Sequence, residues 1–131
     1  MREVLTAQMD PRIKFVTSFI RENYQRKLTL MEMASTVNLS PWRLCHLFRE
    51  EMCTSPQRFL TRVRLEKART LIATEFLTVK EVMNQVGISD ASSFGRSFKA
   101  AFGVTPSQYR NAPKLHDSKR GNEAKVRAKA R

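Results

Sequence analysis

The residues of this chain that could do chemistry fall in two clusters. Trp42, Arg43, Cys45, His46 and Arg49 crowd one short stretch, and Ala91, Ser92, Ser93 and Arg96 occupy the matching place 50 residues on. Neither cluster has the parts of a catalyst. The sequence has no paired carboxylates, no Cys/His arrangement and no phosphate-cradling glycine loop, with four glycines in all. Cys45 and Cys53 lie eight residues apart in one helical stretch, about 12 Å along its axis and too far to bridge. No CxxC pair exists and neither His46 nor His116 stands at metal spacing from a cysteine, so no metal, no cofactor and no enzyme activity are expected. What an indole, an imidazole and several guanidinium groups can do together is stack on flat rings, donate hydrogen bonds and hold anions.

Such side chains are useful only if an element aims them. Asp10-Pro11 reads as an N-cap with proline at the first helical position, and Ile13, Val16 and Ile20, with Phe15 and Phe19 alongside, make an apolar stripe to about Tyr24. Thr29-x-x-Glu32 is a capping box opening a helix of about two turns, with Leu30, Met33, Ala34 and Val37 apolar. Asn38 suits the left-handed conformation of a tight turn. Ser40-Pro41 then starts a longer helix that buries Leu44, Leu47, Phe48 and Met52 and turns Trp42, Arg43, Cys45, His46 and Arg49 away from that stripe. A short helix, a tight turn and a longer helix with a basic, aromatic outer side is a helix-turn-helix pattern.

Ser55-Pro56 caps a third helix to about Ala73. Its apolar positions spread over more than one face, and Arg58, Arg62, Arg64, Lys67 and Arg69 load it with charge. The pattern then repeats. Thr78-x-x-Glu81 is a second capping box, Gly87 a stop and Ser89-Asp90 a second start. Phe94, Phe98, Ala101 and Phe102 face inward, Ala91, Ser92, Ser93 and Arg96 outward, and Thr105-Pro106 opens a last turn with Tyr109 and Arg110. Thr29, Glu32 and Val37 recur at an offset of 49, and Leu44, Phe48 and Phe59 at 50, which places a one-residue slip between Ser40 and Leu44. The fold expected is all-α, about seven helices, as two helix-turn-helix subdomains (10–54 and 74–111) joined by a long helix (55–73). Residues 1–9 are read as a lead-in.

With 24 basic and 12 acidic side chains the chain carries a net charge of +12, which favours a polyanionic partner. Residues from Ala112 onward hold seven Lys/Arg and two acids and too few apolar residues to offset ordering, so 112–131 is expected to be a disordered basic tail. No apolar run approaches the roughly 20 residues of a membrane span, and the N-terminus lacks a signal-peptide pattern. The thiols are read as reduced and the location as cytoplasmic.

Taken together, residues from about Leu28 to Arg110 resemble the DNA-binding domain of the AraC/XylS family of bacterial transcription regulators. The resemblance is carried by Ser40-Pro41-Trp42-x-Leu44-x-x-Leu47-Phe48-Arg49, by Pro56-x-x-Phe59, by Arg64-Leu65-x-x-Ala68-x-x-Leu71-Ile72, and above all by Phe94-x-Arg96-x-Phe98-Lys99-x-x-Phe102-Gly103-x-Thr105-Pro106-x-x-Tyr109-Arg110. It implies that the second helix of each motif enters a major groove, the two in successive grooves about 34 Å apart, so that one chain reads an asymmetric site as a monomer. About 27 residues precede the first motif, so the chain looks like a stand-alone, MarA-like member or a domain cut from a longer regulator. Met83 stands where a small residue is usual, Ile88 where Phe is frequent, Ser93 where a larger side chain is, and Asn38 and Cys53 where Gly is common.

On this basis Trp42, Cys45, His46, Ala91, Ser92, Ser93 and Arg96 are the base-reading candidates. Arg96 is suited to guanine O6 and N7, and Trp42 to sugars or a thymine methyl. Cys45 fits a base-methyl contact, a filler at the helix edge or a redox-sensitive thiol. Arg43, Arg49, Arg58 and Arg110, with Gln57 and Ser107 at helix starts, are the phosphate candidates. The short residues of the second cluster would discriminate weakly, so the two halves are expected to be unequal. The function expected is a sequence-specific double-stranded DNA-binding regulator, an activator that also touches RNA polymerase. The alternative is a non-specific binder of nucleic acid or anionic membrane acting through the tail and the Arg-rich helix.

Overall fold

The structure, a computed structural model, describes residues 9–74 and 76–111. Among them are seven helices and no strand: α1 (Pro11–Asn23), α2 (Leu30–Ser35), α3 (Pro41–Met52), α4 (Pro56–Thr74), α5 (Val79–Val86), α6 (Ala91–Phe102) and α7 (Pro106–Asn111). The all-α class is therefore as expected. The basic tail at 112–131 and all of the lead-in but Met9 lie outside the described residues.

Each start is set by a short polar side chain. Asp10 accepts from the Arg12 N–H at 2.9 Å, Ser40 from Arg43 at 3.1 Å and Ser55 from Arg58 at 3.1 Å. Proline follows each of them, where a missing N–H is harmless. Thr78 and Glu81 form a reciprocal capping box, with bonds of 2.8 and 3.0 Å. The box expected at Thr29 is only half made. Thr29 accepts from the Glu32 N–H at 3.0 Å, but the Glu32 carboxylate goes to Arg26, at 2.6 and 3.2 Å. A charge-assisted fork outcompetes a single backbone N–H. Arg26, and only last the Thr29 backbone, holds the Glu32 carboxyl below its usual range.

The two helix-turn-helix motifs, α2–α3 and α5–α6, share one turn geometry. Leu39 N–H reaches the Ala34 carbonyl at 3.0 Å, and Ile88 N–H the Met83 carbonyl at 2.9 Å. The residue inside each loop is left-handed, Asn38 with φ 59 and Gly87 with φ 86. These positions are 49 apart, whereas the caps Ser40 and Asp90 that follow are 50 apart. The extra residue is thus Ser89, ahead of the cap rather than between Ser40 and Leu44. It lengthens a loop and leaves the helix register untouched.

Two compact units divide between Arg64 and Leu65, inside α4 rather than at either of its ends. Unit one buries Ile13, Val16 and Ile20 of α1, Met33 and Ala34 of α2, Leu44, Leu47 and Phe48 of α3, and Leu60 and Val63 of α4 in one cluster. Arg64 closes it: Nε donates to the Tyr24 carbonyl at 2.8 Å and Nη2 to the Arg26 carbonyl at 2.9 Å, holding the end of α1. Burial pushes the Arg64 pKa down from the usual arginine range. Phe19 is half-buried in this packing, but Phe15 is 53% exposed.

Unit two buries Leu65, Ala68 and Ile72 of α4, Val82, Met83 and Val86 of α5, and Phe94 and Phe98 of α6. Phe98 is its hub, edge-on to Phe102 at 4.7 Å and to Tyr109 at 6.0 Å. Met83 is accommodated at 5% exposure, although its unit-one counterpart is Ala34. Ala101, expected inward, is exposed. The inward side of that last turn is taken by Phe102, which also lies under the Arg69 guanidinium at 4.3 Å.

Cys53 ends α3 with φ 62 and a 2.9 Å bond to the Arg49 carbonyl, as Gly103 ends α6 with φ 85. Left-handed backbone costs a residue with a Cβ about 1–2 kcal/mol, and the exposed Cys53 side chain recovers little by packing. Cys53→Gly is therefore expected to stabilise the protein by about 1 kcal/mol. Urea unfolding should show a higher midpoint at unchanged slope.

Candidate nucleic-acid interface

Side-chain direction along α3 follows from its buried residues. At about 100° per residue, Trp42, His46 and Arg49 point roughly 150–170° away from the mean direction of Leu44, Leu47 and Phe48. Arg43, Cys45 and Glu50 lie on the flanks, about 90–115° from the core direction. Exposure agrees: Trp42, Arg43, His46 and Arg49 are exposed and Cys45 is half-buried. Trp42 is 69% exposed and takes no part in the core. Its indole instead stacks on the His46 ring, centroids 5.0 Å apart and planes 16° from parallel. His46 Nε2 in turn faces Glu50 Oε2 at 3.7 Å.

In α6, Arg96 points about 180° and Ser92 about 140° from the Phe94–Phe98 direction, with Ser93 on a flank. Ala91 is different. It lies about 40° from the core direction and is exposed because it is the first residue of the helix. Lys99, exposed near Arg96, repeats Arg49 at the 50-residue offset. The repeat alone is the signal that marks it, as the counterpart of Arg49. Of the sequence candidates, then, the structure gathers Trp42, His46 and Arg49 on one face and Ser92 and Arg96 on another.

The phosphate candidates sort by partner. Arg43, Arg49, Arg58, Arg96 and Lys99 make no ion pair among the described residues, whereas Arg12 and Arg26 are paired with Asp10 and Glu32. Arg12, through its side-chain and then its backbone hydrogen bond, holds the Asp10 carboxyl below its usual range, with Arg43 adding the smallest pull. At the start of α4, Pro56 has no N–H and the Arg58 N–H is taken by Ser55, which leaves the Gln57 N–H open among the described hydrogen bonds. At α7 the Gln108 N–H goes to Thr105 and the Thr105 N–H to Gln108 Oε1, leaving that of Ser107. Arg110 is the poorest phosphate candidate. It repeats Leu60, which is 3% exposed, and its Nε and Nη2 are shielded from solvent without a hydrogen-bond partner among the described residues.

Among the described residues no cluster of three or more His, Cys, Asp or Glu side chains could hold a metal. No helix there is long and apolar enough to cross a membrane.

Two exposed basic faces, each on the second helix of a helix-turn-helix, define the class of a DNA-binding domain. Residues 33–112 match the family described as "Helix-turn-helix domain". The chain is 38% identical over 95 residues to the raffinose operon transcriptional regulatory protein of Pediococcus pentosaceus, covering 72% of this chain and 34% of that one. It is 31% identical over 111 residues to the arabinose operon regulatory protein of Escherichia coli, covering 84% and 38%. The chain thus spans little more than a third of the length of these relatives. The C-terminal domain of the response regulator AraT from Geobacillus stearothermophilus superposes with a TM-score of 0.73 at 32% identity, over 79% of this chain and 86% of that one. The DNA-binding domain of AdpA, solved in complex with a target DNA, shares the fold at a TM-score of 0.73 and 19% identity, over 84% and 97%. The chain belongs to the AraC/XylS family of helix-turn-helix transcription regulators, a family of DNA-binding proteins and not of enzymes.

Because Trp42 contributes to a face and not to the core, Trp42→Ala should change unfolding free energy by less than about 0.5 kcal/mol. Phe98→Ala should cost about 3–5 kcal/mol. Paired urea titrations distinguish the two. A Trp42→Ala loss above 2 kcal/mol would show the indole to be structural.

Proposed function

We propose that the chain is a sequence-specific binder of double-stranded DNA that inserts α3 and α6 into successive major grooves of one asymmetric site. The observation that carries this reading is the doubled frame. The same turn closure and the same left-handed helix end recur in both units, and each points a different set of exposed side chains outward. Trp42 and His46 read one block and Arg96 the other, with Ser92 and Ser93 giving short contacts and Cys45 an edge contact. Ala91 contributes through its exposed position at the helix start. Arg43, Arg49, Arg58 and Lys99, with the open N–H groups of Gln57 and Ser107, hold phosphates and fix the register. The protein binds as a monomer in the cytoplasm and acts as an activator that touches RNA polymerase. The relatives named as operon regulatory proteins support a role in regulating transcription.

Selection from randomised duplexes should recover a site of about 20 base pairs with two preferred blocks one helical turn apart. Recovery of no preferred sequence would return the chain to a non-specific basic binder. Arg96→Ala should relax preference in one block only, at a cost of about 1–3 kcal/mol. Arg49→Ala should weaken all sequences alike and lower the salt slope by about 1.

A further inference from the structure

The outward face of α3 holds a contact that α6 does not. His46 has one ring face against Trp42 and its Nε2 turned to the Glu50 carboxylate, one helical turn further on. An ionised carboxylate only accepts. In a neutral imidazole, a nearby carboxylate favours hydrogen on the nitrogen that faces it, which would leave Nδ1 as the acceptor. At 3.7 Å the approach is too long for a hydrogen bond, so any bias Glu50 exerts on the ring is electrostatic and not a fixed bond. Arg43 and Arg49, three residues to either side of His46 on the same helix, only donate and cannot stand in for that acceptor.

The second unit has the opposite polarity. Arg96 takes the place of His46, Ala100 that of Glu50, and α6 contains no carboxylate. Arginine has five donors and no acceptor. In the major groove adenine N6 and cytosine N4 donate, whereas guanine offers the acceptors O6 and N7.

We propose that Glu50 is a positioning residue that sets the polarity of base reading in unit one, so that His46 accepts through Nδ1 from the amino group of an adenine or cytosine while Arg96 donates to a guanine in the other block. This rests on the reading of the chain as a sequence-specific binder of double-stranded DNA. A carboxylate held beside His46 also turns away guanine, since acceptor would face acceptor. The bipartite site is then asymmetric in hydrogen-bond polarity as well as in sequence.

Site selection with the full chain tests this, and the side chains of His46 and Glu50 are 52% and 61% exposed, so their variants should fold. The position read by His46 is the one whose preference vanishes in His46→Ala. The expected result is adenine or cytosine there in the wild type, with discrimination against guanine falling about tenfold in Glu50→Ala. The double variant His46→Arg with Glu50→Ala, which copies Arg96 and Ala100, should select guanine. Guanine at that position in the wild type overturns the proposal. So does an unchanged preference in Glu50→Ala, or an effect of Glu50→Ala at a different base position from that of His46→Ala. Ring-nitrogen NMR of the free chain, with His46 assigned by its loss in His46→Ala, separates the two levels. Hydrogen on Nδ1 overturns the role of Glu50 even if an ordered DNA site is recovered. Hydrogen on Nε2 with no preferred sequence overturns the DNA reading, and the base assignment with it.

Discussion

What each outward face can present depends on one backbone hydrogen bond in the turn beneath it, Leu39 to Ala34 in the first motif and Ile88 to Met83 in the second. That bond closes only when the residue before it is left-handed, a conformation open to glycine at no cost and to asparagine at a small one. With the bond made, the short helix must stop and the chain must turn before Ser40 or Asp90 can start the next helix. The buried stripe of that helix then decides its rotation. Leu44, Leu47 and Phe48 must face the core, so Trp42, His46 and Arg49 must face out. The rotation of each outward helix is thus a consequence of turn closure and core packing.

This separation explains how the two units can be alike in frame and unlike in chemistry. The repeated positions are those that cap, turn or fill: Thr29 and Thr78, Asn38 and Gly87, Leu44 and Phe94, Phe48 and Phe98. The outward positions pair Trp42 with Ser92, His46 with Arg96 and Glu50 with Ala100. A frame held by burying apolar area at about 25 cal/mol/Å² is indifferent to the residues on its far side. Unit one can therefore carry an aromatic and polar ladder, and unit two a pair of long donors, Arg96 and Lys99, among short side chains.

The helices, their caps and the buried stripes were legible in the sequence because each rests on local chemistry within one turn of helix. Asp10, Ser40 and Thr78 cap where their residue types predict, and Asn38 is left-handed as its place in the turn requires. What was hidden depends on residues distant in sequence or on competition between partners. Glu32 looked committed to Thr29 because the guanidinium of Arg26, which outcompetes that N–H, is placed by the end of α1. Arg64 shows in the sequence only as one more charge on its helix because its two acceptors are carbonyls some 40 residues earlier. The slip falls at Ser89 and not beyond Ser40: residue types alone let the repeats be aligned on either side of the turn, and only the positions of the φ-positive residue and the cap decide between them.

The arginines show why the net charge of +12 is a poor measure of the DNA footprint. Arg12 and Arg26 are answered by carboxylates, and Arg21 and Arg69 lie over the rings of Phe59 and Phe102. Arg64 is spent on backbone carbonyls, and Arg110 is half-buried where unit one has a leucine. A guanidinium that already satisfies a buried acceptor cannot turn to a phosphate without leaving that acceptor unpaired, at a cost of about 1–3 kcal/mol. Of the basic residues on or beside the two outward helices, Arg43, Arg49, Arg58, Arg96 and Lys99 make no ion pair among the described residues, and four of these five sit on α3 and α6. Basic composition points to a polyanion, but with several arginines committed to partners within the chain, net charge alone does not say where such a partner would lie.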